Sequence, residues 1–320
     1  MSSFGDPMQI IRGLINLKEQ HRRSVVTIGN FDGVHLGHQA ILKKVRDRSI
    51  TLGVTSMLIC FEPQPKEYFA EFNAPARLTR FREKIELLAE HGVDLVLCLK
   101  FDEKTRTITD QEFAEILFEK IKASAVFVGE DFRFGSDRRG DYRDLHQLGS
   151  KLGVPVTNLY TLTVNEERVS STRIRECLAR GDFEMAESLL GHPCSISGKV
   201  VYGRQFGRSL LDVPTANIHL HRDRAPFDGS YAVEVSGLDQ VYRGVANVGV
   251  RPTIDDETLK PILEVHMFDF DEDIYGRQLK VRFVHEIRKE EKFPNLDALK
   301  VAITNDIQEA KSFFDARAAV

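Results

Sequence analysis

Short, nearly unbroken apolar runs alternate with amphipathic segments through the first half of the chain. The runs predict strands at residues 25–28, 56–61, 95–99, 125–128 and 156–160. The segments between them predict helices at residues 38–48, 80–91, 113–121 and 142–152. Strands that are covered on both faces are apolar throughout, so this alternation predicts an α/β fold with a doubly wound parallel sheet. Sheets of this kind bind ligands at the carboxyl ends of their strands.

The second half of the chain is rich in β-strand patterns separated by Gly, Pro and Asp turns. It predicts strands at residues 196–202, 231–235, 242–248, 263–270 and 279–287, and one closing helix at residues 296–314. Several short strands followed by one helix predict a small antiparallel β-barrel domain with a C-terminal helix. The change of pattern places the domain boundary near Leu190, giving domains at 1–189 and 190–320.

Composition narrows the class of protein. The 44 Lys and Arg residues against 48 Asp and Glu give a net charge of -4, which argues against a dedicated nucleic-acid binder. The four cysteines form no C-x-x-C pair, and Cys60 and Cys98 lie inside apolar runs, as expected of buried thiols in a reducing compartment. Without a signal-like start or a long apolar run, we expect a cytoplasmic protein that does not bind membranes.

The stretch GNFDGVHLGHQAIL, residues 29–42, follows the first predicted strand and opens the first helix. Its glycines allow close backbone approach, and His35 and His38 are three residues apart at a helix start, so they face the same way. Two imidazoles there can donate hydrogen bonds to phosphate oxygens where charge develops. A plain glycine turn is the simplest alternative. Metal ligation is another, but no third soft ligand lies nearby at helical spacing.

The stretch VSSTRIR, residues 169–175, follows the fifth predicted strand. Hydroxyls and free backbone N–H groups at a helix start bind anions, and the arginines add positive charge. Taken alone, the stretch is better explained by a Ser/Thr helix cap followed by surface arginines. Together with His35-Leu36-Gly37-His38, however, the run Ser170–Arg175 resembles the H-x-G-H and S-S-T-x-x-R pair of the nucleotidyltransferase superfamily. That resemblance implies a triphosphate clamp.

Two further stretches end predicted strands of the same sheet: FEPQP at residues 61–65 and GEDFRFG at residues 129–135. Their aromatic residues and prolines indicate a flat, apolar ligand surface, with ordinary loop packing as the alternative for Phe132 and Phe134. With them, nearly the whole chain resembles the prokaryotic bifunctional riboflavin kinase/FMN adenylyltransferase family, also called FAD synthetase. That family usually has His where this chain has Gln64, and often Asn in place of Asp131.

The barrel half carries motifs of its own. GRQFGRSLLDVPTAN, residues 203–217, offers backbone N–H groups, a hydroxyl and an amide that suit phosphate and Mg²⁺, although a strand-connecting turn is the alternative. Glu264 lies on a strand, where it is either a general base or a glutamate on the solvent face. The resemblance implies that Thr215 and Asn217 contact Mg²⁺ and ATP, and that Glu264 is the general base. Asp212 and Val213 replace the family's Gly-Phe pair.

The resulting hypothesis is an ATP-dependent enzyme that phosphorylates riboflavin to FMN and then adenylylates FMN to FAD with release of pyrophosphate. The catalytic candidates are His35, His38 and Glu264, and the metal candidates are Thr215 and Asn217. Arg288 resembles a family arginine that closes over flavin and nucleotide, with a surface arginine as the equal alternative. The binding candidates are Gly29, Phe31, Asp32, Asp131, Ser171, Thr172, Arg175, Gly203, Gly207, Arg208, Asn247 and Arg288.

The expected cofactor is Mg²⁺, with ATP as co-substrate, and the expected partners are riboflavin, FMN and ATP; a homo-oligomer is left open. Two rival functions remain. A nucleotidyltransferase for nicotinamide or pantetheine phosphate leaves the barrel motifs unexplained. A flavin- or nucleotide-binding regulator with inactive sites would bind flavin without turnover, but His35, His38 and Glu264 are all present.

Overall fold

The computed structural model describes residues 7–70, 73–164, 166–202, 214–222, 224–252 and 259–318. The chain divides into two compact units. The first unit comprises Met1–Pro75 and Phe81–Val169, and the second comprises Ala76–Arg80 and Ser170–Val320.

A six-stranded parallel sheet forms the centre of the first unit, as predicted. Its strands are β1 (Gln9–Arg12), β2 (Val25–Ile28), β3 (Ser56–Glu62), β4 (Leu95–Lys100), β5 (Ala125–Gly129) and β8 (Val156–Leu159). They lie in the order β1-β4-β3-β2-β5-β8, and each neighbouring pair is parallel. The chain order reverses at β2, so the ends of β2 and its neighbours form a topological switch point, where such sheets bind ligands.

Helices connect these strands. They are α1 (Leu36–Leu52), α2 (Pro65–Ala70), α3 (Phe81–Glu90), α4 (Glu103–Arg106), α5 (Asp110–Glu115), which continues into a π-helical turn at Ile116–Lys120, and α6 (Tyr142–Leu152). Two short hairpins pair β6 (Arg133–Phe134) with β7 (Gly140–Asp141), and β9 (Thr163–Val164) with β10 (Glu167–Arg168). Thr109 and Glu112 form a capping box at the start of α5, and Gly153 ends α6 in the left-handed conformation.

Apolar clusters on the two faces of this sheet hold the helices in place. On one face, Phe31, Leu42, Leu58, Leu88 and Val96 join α1 and α3 to the sheet. On the other, a larger cluster joins α5 and α6 to the same strands. Each fully buried side chain of this size contributes about 1.5–3 kcal/mol to folding, so both layers are firmly attached. Cys60 and Cys98 are free, buried and in register on adjacent strands, as the apolar runs indicated.

The second unit contains the predicted antiparallel barrel, which is closed. Its strands are β11 (Ser195–Val201), β12 (Ala216–His219), β13 (Gly229–Ser236), β14 (Tyr242–Pro252), β15 (Leu259–Met267) and β16 (Gln278–Arg288). They lie in the order β11-β12-β15-β14-β13-β16, and β16 pairs back onto β11. Helix α9 (Leu296–Ala318) packs on the outside of the barrel through Ala310 and Phe314, which lie against Ala232 and Val245.

Two further helices, α7 (Ser171–Ala179) and α8 (Phe183–Leu190), precede the barrel in the second unit. Phe183 is buried against three aromatic rings, those of Phe227, Tyr231 and Phe283. Glu187 forms an ion pair with Arg282 at 2.8 Å. Residues 170–190 therefore pack with the barrel, and the functional boundary near Leu190 stays a prediction. In the part of the chain that the structure describes, no helix is long and apolar enough to cross a membrane.

Candidate active sites

The glycine-rich turn of the first unit begins at the carboxyl end of β2 and ends at α1. Gly33 has a φ of 83°, and Phe31 and Val34 also have positive φ values. Phe31 and Asp32 are both buried, so the turn folds back onto the sheet rather than extending into solvent. A side chain at Gly29 would approach the Phe31 ring to 3.0 Å. The turn is therefore compact, and glycine is needed where backbone and ring meet.

The two histidines of this turn form a stacked pair. His35 is the N-cap residue of α1, and its Nδ1 accepts a hydrogen bond from the backbone N–H of His38. The ring centroids of His35 and His38 lie 3.6 Å apart, with 17° between the ring planes. The centroid of the Phe31 ring lies 4.5 Å from that of His38, with 27° between the planes. Because Nδ1 of His35 accepts, the neutral ring carries its proton on Nε2, which makes Nε2 a hydrogen-bond donor.

The stack keeps His38 uncharged. Burial, followed by the neighbouring His35 and the ammonium of Lys84, holds the pKa of His38 well below its ordinary value of 6.5. Its Nδ1 is buried, and no described residue hydrogen-bonds to it. A neutral imidazole with a spare ring nitrogen can donate or accept one hydrogen bond, which suits phosphate binding better than charge pairing.

Lys84 is a residue of this site that the sequence analysis did not select. Its side chain is fully buried, and Nζ donates a hydrogen bond of 3.1 Å to the backbone carbonyl of Asn30 in the turn. A signal for it exists in the sequence, because Lys84 lies on the apolar stripe of α3 between Phe81 and Leu88, where a charged residue is unexpected.

An aromatic cluster lies at the carboxyl ends of β3 and β4. The Phe101 ring makes edge-on contacts with Phe61, Tyr68 and Phe69 at 5.4–5.8 Å between centroids. Phe69 is 65% exposed, so the cluster presents an open aromatic surface. Beside it, Gln64 is buried, and no described group hydrogen-bonds to its Nε2. This geometry fits the flat ligand surface indicated by FEPQP.

The stretch GEDFRFG behaves differently. Phe134 is buried and packs against Phe113 and Phe132, so for Phe134 the alternative of ordinary packing is correct. Asp131 is exposed and forms an ion pair with Arg168, the residue that ends the β9–β10 hairpin. A surface ion pair of this kind contributes about 0–1 kcal/mol, which leaves Asp131 available to a ligand at little cost.

Val169 is the last residue of the first unit, and the rest of the VSSTRIR stretch, Ser170–Arg175, lies in the second unit. Ser170 is the N-cap of α7, where its hydroxyl accepts from the N–H of Arg173, and Ser171 and Thr172 form the first turn. Arg175 donates from Nε to the backbone carbonyl of Ala76 at 2.6 Å. The predicted clamp combines these residues with the histidine pair of the first unit, so the clamp stays a prediction.

Five polar residues form one row across five adjacent strands of the barrel. Directly opposing residues pair in the order Asn217, Glu264, Asn247, Ser230 and Arg288. Residues that oppose each other in antiparallel strands point to the same face. The neighbours Leu263 and Val265 are completely buried, so the barrel interior is apolar and the polar row lies on the outer face. Sequence reasoning named four of these five residues.

One end of the polar row is suited to a hard cation. The Oδ1 atom of Asn217 is buried and has no hydrogen-bond partner among the described residues. Thr215 precedes it by two positions, directly before the first residue of β12. The ring of His266 contacts the backbone carbonyl of Pro214 through Nδ1 at 2.9 Å, which holds this segment against β15. Amide and hydroxyl oxygens are ligands that Mg²⁺ accepts, so these residues fit it.

The other end of the row is fixed by α9. Arg288 forms two hydrogen bonds of 2.9 Å, from Nε and Nη2 to the two carboxylate oxygens of Asp306, and Ser230 donates to the same carboxylate at 2.7 Å. Asp306 is buried. Arg288 is therefore not the free surface arginine that the sequence left open. Ser230 and Asp306 escaped the sequence analysis, because nothing local links them to Arg288. Gly203, Gly207, Arg208, Asp212 and Val213 lie outside the described residues.

Comparison with known proteins covers both halves of the chain. The family model described as FAD synthetase matches residues 17–173, and that described as riboflavin kinase matches residues 190–314. A bifunctional riboflavin kinase/FMN adenylyltransferase of Pseudomonas fluorescens is 46% identical over 306 residues, which are 95% of this chain and 97% of the relative. The enzyme of the same description from Escherichia coli is 44% identical over 96% of this chain and 98% of its own.

A solved structure is also similar. The crystal structure described as a macrolide-efflux protein from Streptococcus pneumoniae matches with a TM-score of 0.78 at 30% identity, covering 94% of this chain and 97% of that one. Both family models and the nearly full-length relatives agree with the two sets of motifs. This chain belongs to the bifunctional riboflavin kinase/FMN adenylyltransferase family.

Proposed function

We propose that the histidine pair of the first unit carries the FMN adenylyltransferase activity of this chain, and that the polar row on the barrel carries its riboflavin kinase activity. Both activities belong to the chain as a member of its family, and both use ATP as co-substrate. The observation that carries the assignment is the polar row, because five strands bring a carboxylate, two amides, a hydroxyl and an arginine to one register.

In the kinase reaction, the terminal hydroxyl of the ribityl chain attacks the γ-phosphorus of ATP, and ADP leaves. Glu264 accepts the proton of that hydroxyl, as its central position between Asn217 and Asn247 supports. Thr215 and Asn217 hold Mg²⁺, which supplies positive charge to the phosphates when it is bound. The guanidinium of Arg288, oriented by Asp306, positions a substrate at the far end of the row.

In the adenylyl transfer, a phosphate oxygen of FMN attacks the α-phosphorus of ATP, and pyrophosphate leaves. No covalent intermediate with the protein is needed, so the site has to hold the phosphates and stabilise charge. Nε2–H of His35 and the ring of His38 donate to phosphate oxygens, while Gly29 and Gly33 allow close backbone approach. On the sequence motif alone, Ser171, Thr172 and Arg175 are the residues expected to hold the triphosphate side of ATP. Asp32 orients either the turn or a water molecule on Mg²⁺.

The flavin ring binds on the aromatic cluster of Phe61, Tyr68, Phe69 and Phe101. An isoalloxazine ring is flat and largely apolar, and the exposed face of Phe69 offers it a stacking surface. The cluster lies at the carboxyl ends of β3 and β4. Strand β3 is next to β2, which leads into the histidine turn, and β4 is the following strand of the sheet. Asp131, at the end of β5, accepts a hydrogen bond from the ribose or adenine of ATP.

The proposal is tested by separating the products made from riboflavin, ATP and Mg²⁺. Wild-type protein is expected to form FMN first and FAD afterwards, with one pyrophosphate per FAD. Glu264→Gln is expected to leave riboflavin unchanged but to convert added FMN to FAD. Tight flavin binding without FMN or FAD would favour the inactive regulator, and adenylylation of nicotinamide mononucleotide in place of FMN would favour the rival transferase.

A further inference from the structure

Lys84 is unusual among the lysines of the first unit because its whole side chain is buried. It lies on α3 beside the buried Leu88, and its Nζ lies 5.6 Å from the centre of the Phe81 ring. Burying an ammonium group in apolar surroundings is costly unless hydrogen bonds or an opposite charge compensate it. Its partner is the carbonyl of Asn30, and no described carboxylate lies within 4 Å of Nζ.

The acceptor of that single hydrogen bond is informative. Asn30 lies between Gly29 and Phe31, so Lys84 ties α3 directly to the turn that presents the histidine pair. Two of the three N–H donors of the ammonium remain without a described acceptor. The charge also acts on the pair itself, since it contributes to the low pKa of His38. A buried cation beside neutral donors makes the turn attractive to an anion.

We propose that Lys84 is a positioning residue of the adenylyltransferase site, which fixes the glycine-rich turn through Asn30 and supplies the fixed positive charge that favours the triphosphate of ATP. This inference rests on the function proposed for the histidine pair. Lys84 acts through the turn and through its charge, and the chemistry at phosphorus needs no contact with it. The cost of burying the ammonium is offset when the anion binds.

Kinetics of the full-length protein test this role. Lys84→Met keeps the length and apolar stem of the side chain but removes the charge and the donor. It is expected to raise the KM for ATP in adenylylation of FMN by about 10- to 100-fold. Riboflavin phosphorylation by the same molecules is expected to stay within twofold. A purely structural role would lower the active fraction, and hence kcat, while leaving KM unchanged.

Two matched variants complete the series. Lys84→Arg keeps the charge, so its KM for ATP is expected to lie closer to the wild-type value than that of Lys84→Met. Lys43→Met removes an exposed lysine from α1 and is expected to change neither activity. If Lys84→Met leaves the KM for ATP within twofold of wild type, with kcat intact, the inference is wrong. If His38→Ala leaves adenylylation intact, the function proposed for the turn is itself wrong, whatever the Lys84 variants show.

A measurement on wild-type protein avoids the risk that Lys84→Met fails to fold. The ¹⁵N signal of the Lys84 ammonium is followed by NMR while inorganic pyrophosphate, a product of adenylylation only, is added. Displacement of this signal together with that of the His38 ring supports the inference. A shift at His38 with none at Lys84 would overturn it, and no shift at either residue would contradict pyrophosphate binding at the turn.

Discussion

Arg288, the last residue of β16, is held by Asp306 of α9 through two parallel hydrogen bonds of 2.9 Å. The carboxylate is buried, and Ser230 donates to it from β13. Two-pronged arginine–carboxylate pairs fix the plane of the guanidinium as well as its position. Helix α9 therefore does more than cover the barrel, because it orients a charged residue of the polar row.

Asp306→Asn tests this relationship. It preserves the shape of the side chain but removes the buried negative charge, and leaves Arg288 only the 3.6 Å ion pair with the exposed Glu291. The second unit is therefore expected to lose up to about 3 kcal/mol of stability. The KM of the kinase reaction for riboflavin or ATP is expected to rise, while adenylylation of added FMN stays unchanged. Asp315→Asn, at an exposed position of the same helix, is the control. Equal kinase kinetics in both variants would contradict a role for Arg288 in the kinase site.

Gly37 is predicted to be essential for the histidine pair rather than for the helix. A Cβ atom at this position would lie 3.2 Å from Nδ1 of His35, which is closer than almost all Cβ contacts. Gly37→Ala should displace the His35 ring and lower adenylylation at least tenfold. Because alanine favours helix over glycine by up to about 1 kcal/mol, thermal stability should not fall. A less stable protein with normal adenylylation would contradict this expectation.

The low pKa of His38 predicts a pH dependence of stability. Above pH 6.5 the ring is neutral in both folded and unfolded chains, and the folded state keeps its full stability. Below that pH the unfolded chain binds a proton that the folded chain does not bind, so the free energy of unfolding decreases as the pH is lowered. His21 contributes in the same direction, because burial and Lys18 lower its pKa.

Denaturant unfolding between pH 5 and 8 measures this effect. Wild-type protein is expected to lose stability as the pH falls through the range in which an unfolded histidine titrates. His38→Gln, which cannot titrate, should flatten the dependence while His21 preserves part of it. An identical slope in the variant would mean that the pKa of His38 is the same in the folded and unfolded chains, contrary to its burial beside Phe31 and His35.

The sequence predicts the fold well where strands are buried. The starts of β2, β3, β4, β5 and β8 agree with continuous apolar runs, because parallel strands covered on both faces require such runs. Strands β1 and β12, four residues each, were missed. β1 (QIIR) is an edge strand with mostly exposed side chains, and β12 (ANIH) carries polar residues for the site, so neither shows a clear period.

The residues of the candidate sites also differ in how well the sequence predicts them. Glycine, histidine and carboxylate patterns are local, and they led to His35, His38 and Glu264. Lys84 and Asp306 make contacts that join distant parts of the chain. The sequence marks Lys84 only by its place on the apolar stripe of α3, and Asp306 resembles an ordinary solvated charge. Tertiary packing alone decides that these two are buried. Residues that orient others are therefore harder to predict than residues that touch substrate.

The boundary between the functional domains is open to a direct test. A fragment of residues 190–320 retains every strand of the barrel but lacks Phe183 and the ion pair of Glu187 with Arg282. Removing a buried phenylalanine ring costs about 3–5 kcal/mol. The fragment 170–320 should therefore unfold at clearly higher denaturant concentration, with both fragments phosphorylating riboflavin while folded. Equal midpoints would support a boundary at residue 190 in stability as well as in function.

The central claim is that one chain contains two separate sites, and mixing two variants tests it most directly. His38→Ala alone is expected to convert riboflavin to FMN and stop there, and Glu264→Gln alone is expected to leave riboflavin unchanged. When both proteins are incubated together with riboflavin, ATP and Mg²⁺, FMN made by the first should be adenylylated by the second, so FAD should accumulate. A mixture that forms no FAD, although each variant binds flavin, would contradict the division of the two reactions between the histidine pair and the polar row.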